Sequence, residues 1–403
     1  MPRVMFLTLG LDLGGQSVHI ANLATGLIER GWTCSVATPD VAAGAPLGRE
    51  YFESRGIPVI EVPFSSPRPS GIRRQIAGIR ALRDLIGDLC PDVVHVHSVS
   101  LAPVARVASR GRHPGPGLVS TFNNEYISDR RRWAARLSAT ARWPKHPFGH
   151  RVIAISEALR ASIVTGLGVP QSVVRTIDSA VDDARFRLPT REERRAARDV
   201  FGVSDSETLV CCVARVEPRK NQQALIGAVA ELARDGRDVR LLLAGPDVDG
   251  HTEHLRDLAT KAGVTDRVCF AGFVDPRLAY WASDVNALVS VTEGFGLVVI
   301  EGMLCGTLSV RSDTAGASDQ ICDGETGYLV QELTASGIAL AIRRALDDHD
   351  GAARIRLAAS EFVRSRYGMA RMAAQVEAIY DEASAIGNPS GRVRAQPDSR
   401  NTD

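Results

Sequence analysis

Short apolar runs of strand length alternate with helix-like stretches along nearly the whole chain, in two successive cycles. The runs of the first cycle are RVMFLTL (3–9), TCSVAT (33–38), IPVIEV (57–62), DVVHVH (92–97), GLVSTF (117–122) and RVIAIS (151–156). Those of the second cycle are LVCCVA (209–214), LLLAG (241–245), VCFAGF (268–273), ALVSV (287–291) and TLSVR (307–311). Such alternation predicts parallel, doubly wound α/β sheets. Because 403 residues exceed what one hydrophobic core usually holds, the two cycles predict two domains.

The domain boundaries follow from breaks in this pattern. A polar segment at 177–190 separates the cycles, which places one domain at 1–180 and the next at 181–368. Residues 369–386 have the periodicity of an amphipathic helix. Residues 387–403 combine Gly, Pro, Ser and charged residues without periodicity, so we expect a disordered tail there.

Composition narrows the class of protein. The hydrophobic content of 44% and the charged content of 24% are typical of globular domains. The apolar run at 4–11 is too short to span a membrane and lacks a signal-peptide cleavage site. The seven cysteines include no C-x-x-C pair, which favours reduced thiols that act as small core residues. We therefore expect a cytoplasmic protein.

Charge is unevenly distributed along the chain. Residues 1–180 carry a net charge of +8 and the remainder −7, which suggests that the two halves bind different groups. Residues 130–151 include seven Lys and Arg and no acidic residue. This basic stretch predicts either a solvated helix face or docking at the inner face of an anionic membrane or around a phosphorylated acceptor. We expect no nucleic-acid partner, because no recognition module is visible.

The segment TEGFGLVVIEG (292–302) has the layout of a strand end, a tight glycine turn and a helix that starts near Leu297. We expect backbone N–H groups at this helix N-terminus to be unpaired and suited to an anion. They are those of Gly294, Phe295, Gly296 and Leu297. The carboxylates of Glu293 and Glu301 flank the turn and are better suited to sugar hydroxyls than to phosphate. The segment therefore predicts a site for a ligand that carries both phosphate and sugar.

A second motif, VARVEPRKN (213–221), follows the first strand of the second cycle and contains Arg215 and Lys220. Together with the E-x7-E spacing of Glu293 and Glu301, its R-x4-K spacing resembles the retaining glycosyltransferases of family 4. The runs LLLAGP (241–246) and VCFAGFV (268–274) occur between the two motifs in the order that this family has them. The resemblance extends from the first strand to about residue 385.

The resemblance implies the GT-B fold, in which two Rossmann-like domains face each other and the C-terminal helix crosses back to the first domain. It implies that the acceptor binds to the N-terminal domain and the nucleotide sugar mainly to the C-terminal domain. The implied reaction is metal-independent, needs no cofactor and retains the anomeric configuration. A hexose-type sugar would pass from a nucleoside-diphosphate sugar, with a UDP-sugar favoured, to a hydroxyl of a glycan, lipid-linked or small-molecule acceptor.

The same resemblance assigns roles to the residues of both motifs. Arg215 and Lys220 are expected to stabilise the charge that develops on the departing diphosphate, an effect typically worth about 2–4 kcal/mol per group. Glu293 is expected to contact the donor sugar without attacking it, because the departing phosphate itself can take the acceptor proton. Glu301 is expected to bind both ribose hydroxyls. Arg215, Lys220 and Glu293 form the expected catalytic set.

Other candidate contacts carry simpler alternatives. Phe273 and Val274 stand where family members hold the nucleobase through backbone groups, although Phe273 could equally be an ordinary core residue. Gly14 and Gly15 open the first helix and are expected to touch the donor phosphates or the acceptor, whereas a plain strand–helix turn is the alternative. No G-x-G-x-x-G dinucleotide fingerprint is present.

One departure from the family pattern lies in the first domain. Many members have T-x-H after a strand where this chain has Thr121-Phe122-Asn123-Asn124. Asn123 can donate a hydrogen bond to the donor sugar but cannot carry a positive charge. Asn123 therefore leaves one alternative open, a catalytically silent protein that binds sugar nucleotides or acts as a scaffold for a partner. A second alternative is a nucleotide-sugar epimerase of the same fold.

Two motifs have the spacing of metal ligands, but we do not interpret either of them as a metal site. Asp247-Val248-Asp249 has D-x-D spacing but lies in the loop after LLLAGP, where the family has a Gly/Asp/Pro loop. His95 and His97 lie on one face of a strand, but no third ligand is identifiable. We expect the two histidines to line the cleft between the domains.

Overall fold

The computed structural model describes residues 1–12, 14–39, 46–64, 72–111, 115–123, 148–247 and 249–387. These residues form two compact units. The first consists of the described parts of Met1–Asp178 together with the helix Met369–Gly387, and the second is Ser179–Gly368. Each unit contains one sheet in which all the strands are parallel, flanked by helices.

The first unit contains a seven-stranded sheet in the order β3-β2-β1-β4-β5-β6-β7. Its strands are β1 Arg3–Leu7, β2 Thr33–Thr38, β3 Val59–Glu61, β4 Val93–Val96, β5 Gly117–Phe122, β6 Arg151–Ala154 and β7 Val174–Thr176. Its helices are α1 Gly15–Glu29, α2 Pro46–Glu53, α3 Ile72–Leu89, α4 Ala102–Ala108, α5 Glu157–Leu167 and α14 Met369–Gly387. The central strands are buried on both faces, as in β4 and β5, which is typical of a parallel sheet covered by helices.

The second unit contains a six-stranded sheet in the order β10-β9-β8-β11-β12-β13. Its strands are β8 Thr208–Val213, β9 Val239–Ala244, β10 Val268–Gly272, β11 Val285–Leu288, β12 Leu308–Ser312 and β13 Tyr328–Val330. Its α-helices are α6 Arg191–Val200, α7 Gln222–Arg234, α8 His251–Lys261, α9 Pro276–Ala282, α10 Leu297–Leu304, α11 Ala317–Gln320, α12 Ala335–Asp347 and α13 His349–Arg366. The strand order reverses between β8 and β11, and ligands of open α/β sheets bind outside the carboxyl ends of the strands at such a point.

The predicted fold class is confirmed, since both cycles fold into parallel sheets, but three strands differ from the prediction. β7 and β13 have three residues each and were not predicted, whereas the equally short β3 lies within the predicted apolar run 57–62. β11 was expected at 287–291 and instead occupies Val285–Leu288. The chain leaves the sheet after Leu288, and the N–H of Val291 donates to the carbonyl of Arg219, 2.9 Å away, instead of to a neighbouring strand.

The terminal helix α14 packs within the first unit, against α1 and β5. Glu377 accepts hydrogen bonds from the side chains of Arg30 and Trp32, the latter at 2.9 Å. A Cβ on Gly26 would lie 2.9 Å from the carbonyl oxygen of Met369, so glycine permits the close approach of α1 and α14. The amphipathic helix that the sequence predicted at 369–386 is therefore confirmed, and it packs on the first unit.

Two segments with sequence-based predictions lie at least partly outside the described residues. They are residues 130–147 of the basic stretch and residues 388–403 of the predicted tail. Gly387, the first residue of that tail, is the last residue of α14. All seven cysteines are described and none forms a disulfide. Within the described ranges, no helix is both long and apolar enough to cross a membrane.

Candidate functional site

The glycine turn between β11 and α10 requires glycine at one position. Gly296 caps α10 in the left-handed conformation, with φ 83° and ψ 57°. A Cβ there would lie 2.9 Å from Cδ2 of Leu288 and 3.5 Å from Cγ of Glu293. Both the backbone conformation and the packing therefore exclude a larger side chain. The buried ring of Phe295, 5.4 Å from that of Tyr367, fixes the turn to α13.

This turn presents backbone donors at the carboxyl end of the sheet. The N–H groups of Phe295, Gly296 and Leu297 have no hydrogen-bond acceptor among the described residues. The N–H of Gly294 was also expected to be unpaired, but it donates to Oε1 of Glu293 at 3.3 Å. The first turn of a helix cannot satisfy these N–H groups internally. The turn therefore offers up to three backbone donors to an anion.

Lys220 and Glu293 meet beside this turn. The Nζ of Lys220 lies 2.7 Å from Oε2 of Glu293, and each side chain is about one-eighth exposed, at 12%. Ser290 Oγ lies 3.2 Å from the same carboxylate oxygen. Burial raises the pKa of Glu293, but Lys220, together with more distant cations, outweighs it and lowers the pKa below its ordinary value. The pair is therefore ionised at neutral pH.

Arg215 lies in the loop after β8, together with the rest of the R-x4-K motif. Its guanidinium is 3.4 Å from Glu217 and about two-fifths exposed, at 38%. Gln222 Nε2 donates to the carbonyl of Arg215 at 2.8 Å, which ties this loop to α7. Arg219 Nη1 also donates to the carbonyl of Thr292 at 3.2 Å. Hydrogen bonds between the two loops thus bring the R-x4-K and E-x7-E motifs together.

Glu301 lies on α10 in surroundings unlike those of Glu293. It is almost fully buried and accepts a hydrogen bond from the hydroxyl of Tyr280 at 2.9 Å. Burial raises the pKa of Glu301 to about 7, although the Tyr280 hydrogen bond and Arg185 oppose the shift. One carboxylate of the E-x7-E motif is therefore held ionised by a lysine, whereas the other is close to its protonation midpoint at neutral pH.

The strand end of β10 exposes Phe273. Half of this side chain is exposed, so the alternative that Phe273 is a core residue is wrong. Val274 follows it and is half-buried. Gly245 N–H donates to the carbonyl of Gly272 at 2.8 Å, which joins the ends of β9 and β10. Phe273 and Val274 thus lie at the same edge of the sheet as the other candidate residues of this unit.

The D-x-D spacing of Asp247 and Asp249 serves a local purpose. The carboxylate of Asp247 accepts hydrogen bonds from the backbone N–H groups of His251 and Thr252, at 2.8 and 3.1 Å. These are N-terminal donors of α8, so Asp247 caps that helix. In the part of the chain that the structure describes, no group of three His, Cys, Asp or Glu is placed to hold a metal ion.

In the first unit, Gly14 and Gly15 begin α1 at the end of the loop after β1. Gly14 is the N-cap, with φ −85°, and Gly15 is the first helical residue. The loop is held by Gln16, whose Nε2 donates to Oγ1 of Thr8 at 2.8 Å. A Cβ on Gly15 would meet no atom within 4 Å. Packing within the described residues therefore does not require glycine at Gly15.

Three histidines, His19, His95 and His97, form a cluster near Asn123 in the same unit, with the ring of His19 5.4 Å from that of His97. Both ring nitrogens of His95 are engaged, with Tyr380 and Thr121, each at 2.7 Å. The rings of His95 and His97 are 4.2 Å apart and fully buried, and burial holds the pKa of both far below the ordinary value. Asn123 is also buried, and its Nδ2 lies 3.4 Å from the carbonyl of His97.

Three residues near the glycine turn were missed by sequence reasoning: Tyr280, Arg311 and Gln320. Arg311 lies on β12 and is fully buried, and Gln320 accepts a hydrogen bond from its guanidinium. An arginine inside the apolar strand TLSVR was the available signal, because charged residues are rarely buried without a specific partner. Tyr280 and Gln320 carry no signal in sequence alone.

Both halves of the chain match models of known protein families. The family model described as Glycosyl transferases group 1 matches residues 193–362, and the one described as Glycosyltransferase Family 4 matches residues 13–185. The D-inositol 3-phosphate glycosyltransferase of Nocardia farcinica is 29% identical over 86% of this chain and 80% of its own length. A second protein of that name, from Catenulispora acidiphila, is 35% identical over 49% of this chain and 48% of its own length.

Solved structures resemble the whole described fold. Anabaena HepE in complex with UDP-glucose has a TM-score of 0.78 at 21% identity, covering 94% of this chain and 99% of that one. The sucrose-phosphate synthase of Thermosynechococcus elongatus also has a TM-score of 0.78, at 20% identity, covering 96% and 100%. Similarity at these identities establishes a shared fold.

Proposed function

This chain belongs to the family 4 glycosyltransferases, which have the GT-B fold, and on that premise we propose that it transfers a hexose from a UDP-sugar to a hydroxyl acceptor with retention of configuration. The observation that carries the proposal is the joining of the two motifs. The Lys220–Glu293 pair stands beside a turn with unpaired N–H groups, at the strand-order reversal of the second sheet. Each part of the proposed donor, its phosphates, its sugar and its ribose, would meet a complementary group there.

The donor is proposed to bind to the second unit. Its diphosphate would accept hydrogen bonds from the N–H groups of Phe295, Gly296 and Leu297, as anions do at helix N-termini. Glu301 would accept hydrogen bonds from the ribose hydroxyls, and the backbone at Phe273 and Val274 would contact the base. UDP is favoured over other nucleotides because Anabaena HepE, of the same fold, has been solved with UDP-glucose.

The chemical step is proposed to need little from the protein beyond charge. The bond between the anomeric carbon and the phosphate oxygen breaks, and the acceptor oxygen attacks the same face of the sugar. The acceptor proton passes to the departing phosphate. Arg215 and Lys220 stabilise the negative charge that develops on the leaving diphosphate. Glu293 fixes Lys220 through its 2.7 Å ion pair and positions the sugar, so it is not a nucleophile.

The acceptor is proposed to be a phosphorylated hydroxyl compound, with inositol 3-phosphate the first candidate. Two relatives carry that acceptor in their names, and the Nocardia protein matches over most of its length. Gly14, Gly15 and Asn123 are the proposed contacts of the first unit, and Gly15 has open space around its Cα. We propose a cytoplasmic protein with membrane contact through 130–151, of which 130–147 lie outside the described residues.

The contacts of Asp247 support the proposal that the reaction needs no metal ion. Asp247 is occupied as the cap of α8, so the D-x-D motif has a structural role that needs no ion. The charge stabilisation that a metal provides in other glycosyltransferases is assigned here to Arg215 and Lys220.

Calorimetric titration of the wild-type protein with UDP, GDP and ADP tests the donor assignment. We expect UDP to bind most tightly and the sugar nucleotide to bind no more weakly than UDP. The Glu301→Ala variant should weaken UDP binding, whereas Glu293→Ala should chiefly weaken the additional contribution of the sugar. If no nucleoside diphosphate binds at all, the proposed function is wrong.

A further inference from the structure

Arg311 is the largest fully buried side chain of the described residues, and its surroundings are unusual for a cation. Its guanidinium donates to the carbonyl oxygens of Ala315 and Gly316, each at 3.1 Å, and to Oε1 of Gln320. All three acceptors are uncharged. It makes no salt bridge with any carboxylate that the structure describes. A buried charge without an ionic partner is costly unless another charge approaches it.

The guanidinium lies directly beneath the glycine turn. A Cβ on Gly296 would be 3.6 Å from Cζ of Arg311, so only the backbone of the turn separates the cation from the N–H groups above it. The Nε of Arg311 is buried and has no hydrogen-bond partner among the described residues. The guanidinium therefore places a buried positive charge next to the turn whose N–H groups have no acceptor among the described residues.

The charges around the turn do not cancel. Lys220 is neutralised by Glu293 at 2.7 Å, and Arg215 and Arg219 share the carboxylate of Glu217. Three carboxylates, those of Glu293, Asp319 and Asp313, act on Arg311 only through space. Glu293 is already paired with Lys220, and Asp319 lies 3.9 Å from Arg366. Arg311 thus leaves an excess positive charge beneath the turn, in low-dielectric surroundings where its effect on an anion is large.

We propose that Arg311 is a positioning residue that holds a permanent positive charge beneath the glycine turn to bind and orient the donor diphosphate. This deepens the proposed function and rests on it. Gln320 completes the arrangement, because an amide at this position hydrogen-bonds the guanidinium without neutralising it. A carboxylate in the same place would form a buried ion pair and cancel the field at the turn.

Gln320→Glu tests this idea without removing a group from the core. The substitution is isosteric, and the new carboxylate gains an ion pair with Arg311, so the variant should fold. We expect its affinity for UDP to fall about 10–30-fold, the effect of one unit charge several ångströms away at an intermediate dielectric. Its affinity for uridine, which has no phosphate, should change less than about twofold.

Two further variants separate charge from packing. Arg311→Met removes the charge and should weaken UDP binding while sparing uridine, whereas Arg311→Lys keeps the charge and should recover most of the affinity. Arg198→Met is the matched control. Arg198 is also a buried arginine of the second unit, bonded to the carbonyls of Ala282, Ser204 and Glu207. Unlike Arg311 it has a carboxylate partner, Asp284 at 3.6 Å, and its loss should leave the UDP-to-uridine ratio unchanged.

Titration calorimetry with UDP and uridine decides between the outcomes, with thermal unfolding to verify the fold of each variant. A selective loss of UDP affinity in Gln320→Glu and Arg311→Met supports the proposal. Equal affinities in the wild type and in folded Gln320→Glu overturn it, as does a parallel loss for UDP and uridine. If the wild type itself does not bind UDP, the proposed function fails before this inference is reached.

Discussion

The two glutamates of the E-x7-E motif show how far surroundings decide what a residue can do. The sequence shows their spacing, and it led us to expect that they bind sugar hydroxyls. The sequence did not indicate that the two carboxyl groups differ in pKa. Lys220 contacts Glu293 because the loops after β8 and β11 meet, whereas Glu301 lies within the core beside Tyr280. Contacts between distant parts of the chain set these differences, so neither spacing nor composition could reveal them.

The two cations that we propose to be catalytic, Arg215 and Lys220, give the first prediction. Arg215→Ala and Lys220→Ala should each lower kcat by about two orders of magnitude or more, since each would remove charge stabilisation worth about 2–4 kcal/mol. Steady-state kinetics on folded protein measures the effect. Lys261→Ala, at the exposed end of α8, is the control and should retain most of the activity. Near wild-type turnover in Arg215→Ala or Lys220→Ala would contradict the assignment.

The raised pKa of Glu301 gives a second prediction, on stability. The folded state binds this proton more tightly than the unfolded state, so the stabilisation is fully present below about pH 4.5 and is lost as pH rises through about 7. The side chain of the Glu301→Gln variant does not titrate, so this variant shows no such loss of stabilisation. The free energy of unfolding of the wild type relative to this variant should therefore decline by about 3 kcal/mol between those pH values.

Denaturant unfolding at several pH values measures this difference. Glu293→Gln is the matched control, because Lys220 lowers the pKa of Glu293 despite its burial. The stabilisation from Glu293 is present above its unfolded pKa and is lost as pH falls, so the relative stability should move in the opposite direction. If both variants show the same pH dependence, the assigned surroundings of the two carboxylates are wrong.

At the scale of elements, periodicity and turn chemistry predicted most of the second unit. The start of α10 at Leu297 was expected, because glycine punctuation precedes an apolar run. The strand before it was displaced by about two residues, since Val289 and Ser290 are buried outside the sheet and resemble strand residues in sequence. Hydrophobicity reports burial, whereas backbone hydrogen bonds define where the strand ends, and the N–H of Val291 donates to Arg219 instead of to a neighbouring strand.

The glycine turn gives a third prediction. Gly296→Ala should abolish measurable UDP binding, because a Cβ would both meet Leu288 and strain a left-handed backbone. Gly263→Ala provides the matched control: its φ is also positive, at 73°, but a Cβ there would meet nothing within 4 Å. Both variants should lose about 1 kcal/mol of stability from the backbone alone. Only Gly296→Ala should lose the ligand, which calorimetry would show.

At the scale of the whole molecule, the fold followed from two repeated strand–helix cycles, and the activity from motifs at the strand ends. The histidine pair could not be interpreted in this way. Its residues were expected to line a cleft, but both are fully buried and His95 is bonded on both sides. One of those bonds comes from Tyr380 on the terminal helix, a partner 285 positions away that no local pattern could predict.

Chelation gives the fourth prediction. Activity should persist in excess EDTA, because charge stabilisation is assigned to Arg215 and Lys220 and because Asp247 caps α8. Asp249→Ala should likewise leave turnover within about twofold of the wild type, as expected of a surface substitution. Loss of activity in EDTA that magnesium or manganese restores would refute metal independence.

The central claim is that the chain transfers a sugar with retention, and a time-resolved NMR assay tests it most directly. The protein is incubated with a panel of UDP-hexoses, with and without inositol 3-phosphate and other hydroxyl acceptors. We predict UDP release that depends on the acceptor, a product with the anomeric configuration of the donor, and neither in Lys220→Ala. A product of inverted configuration, turnover without acceptor, or tight UDP-sugar binding without transfer to any acceptor would contradict the account.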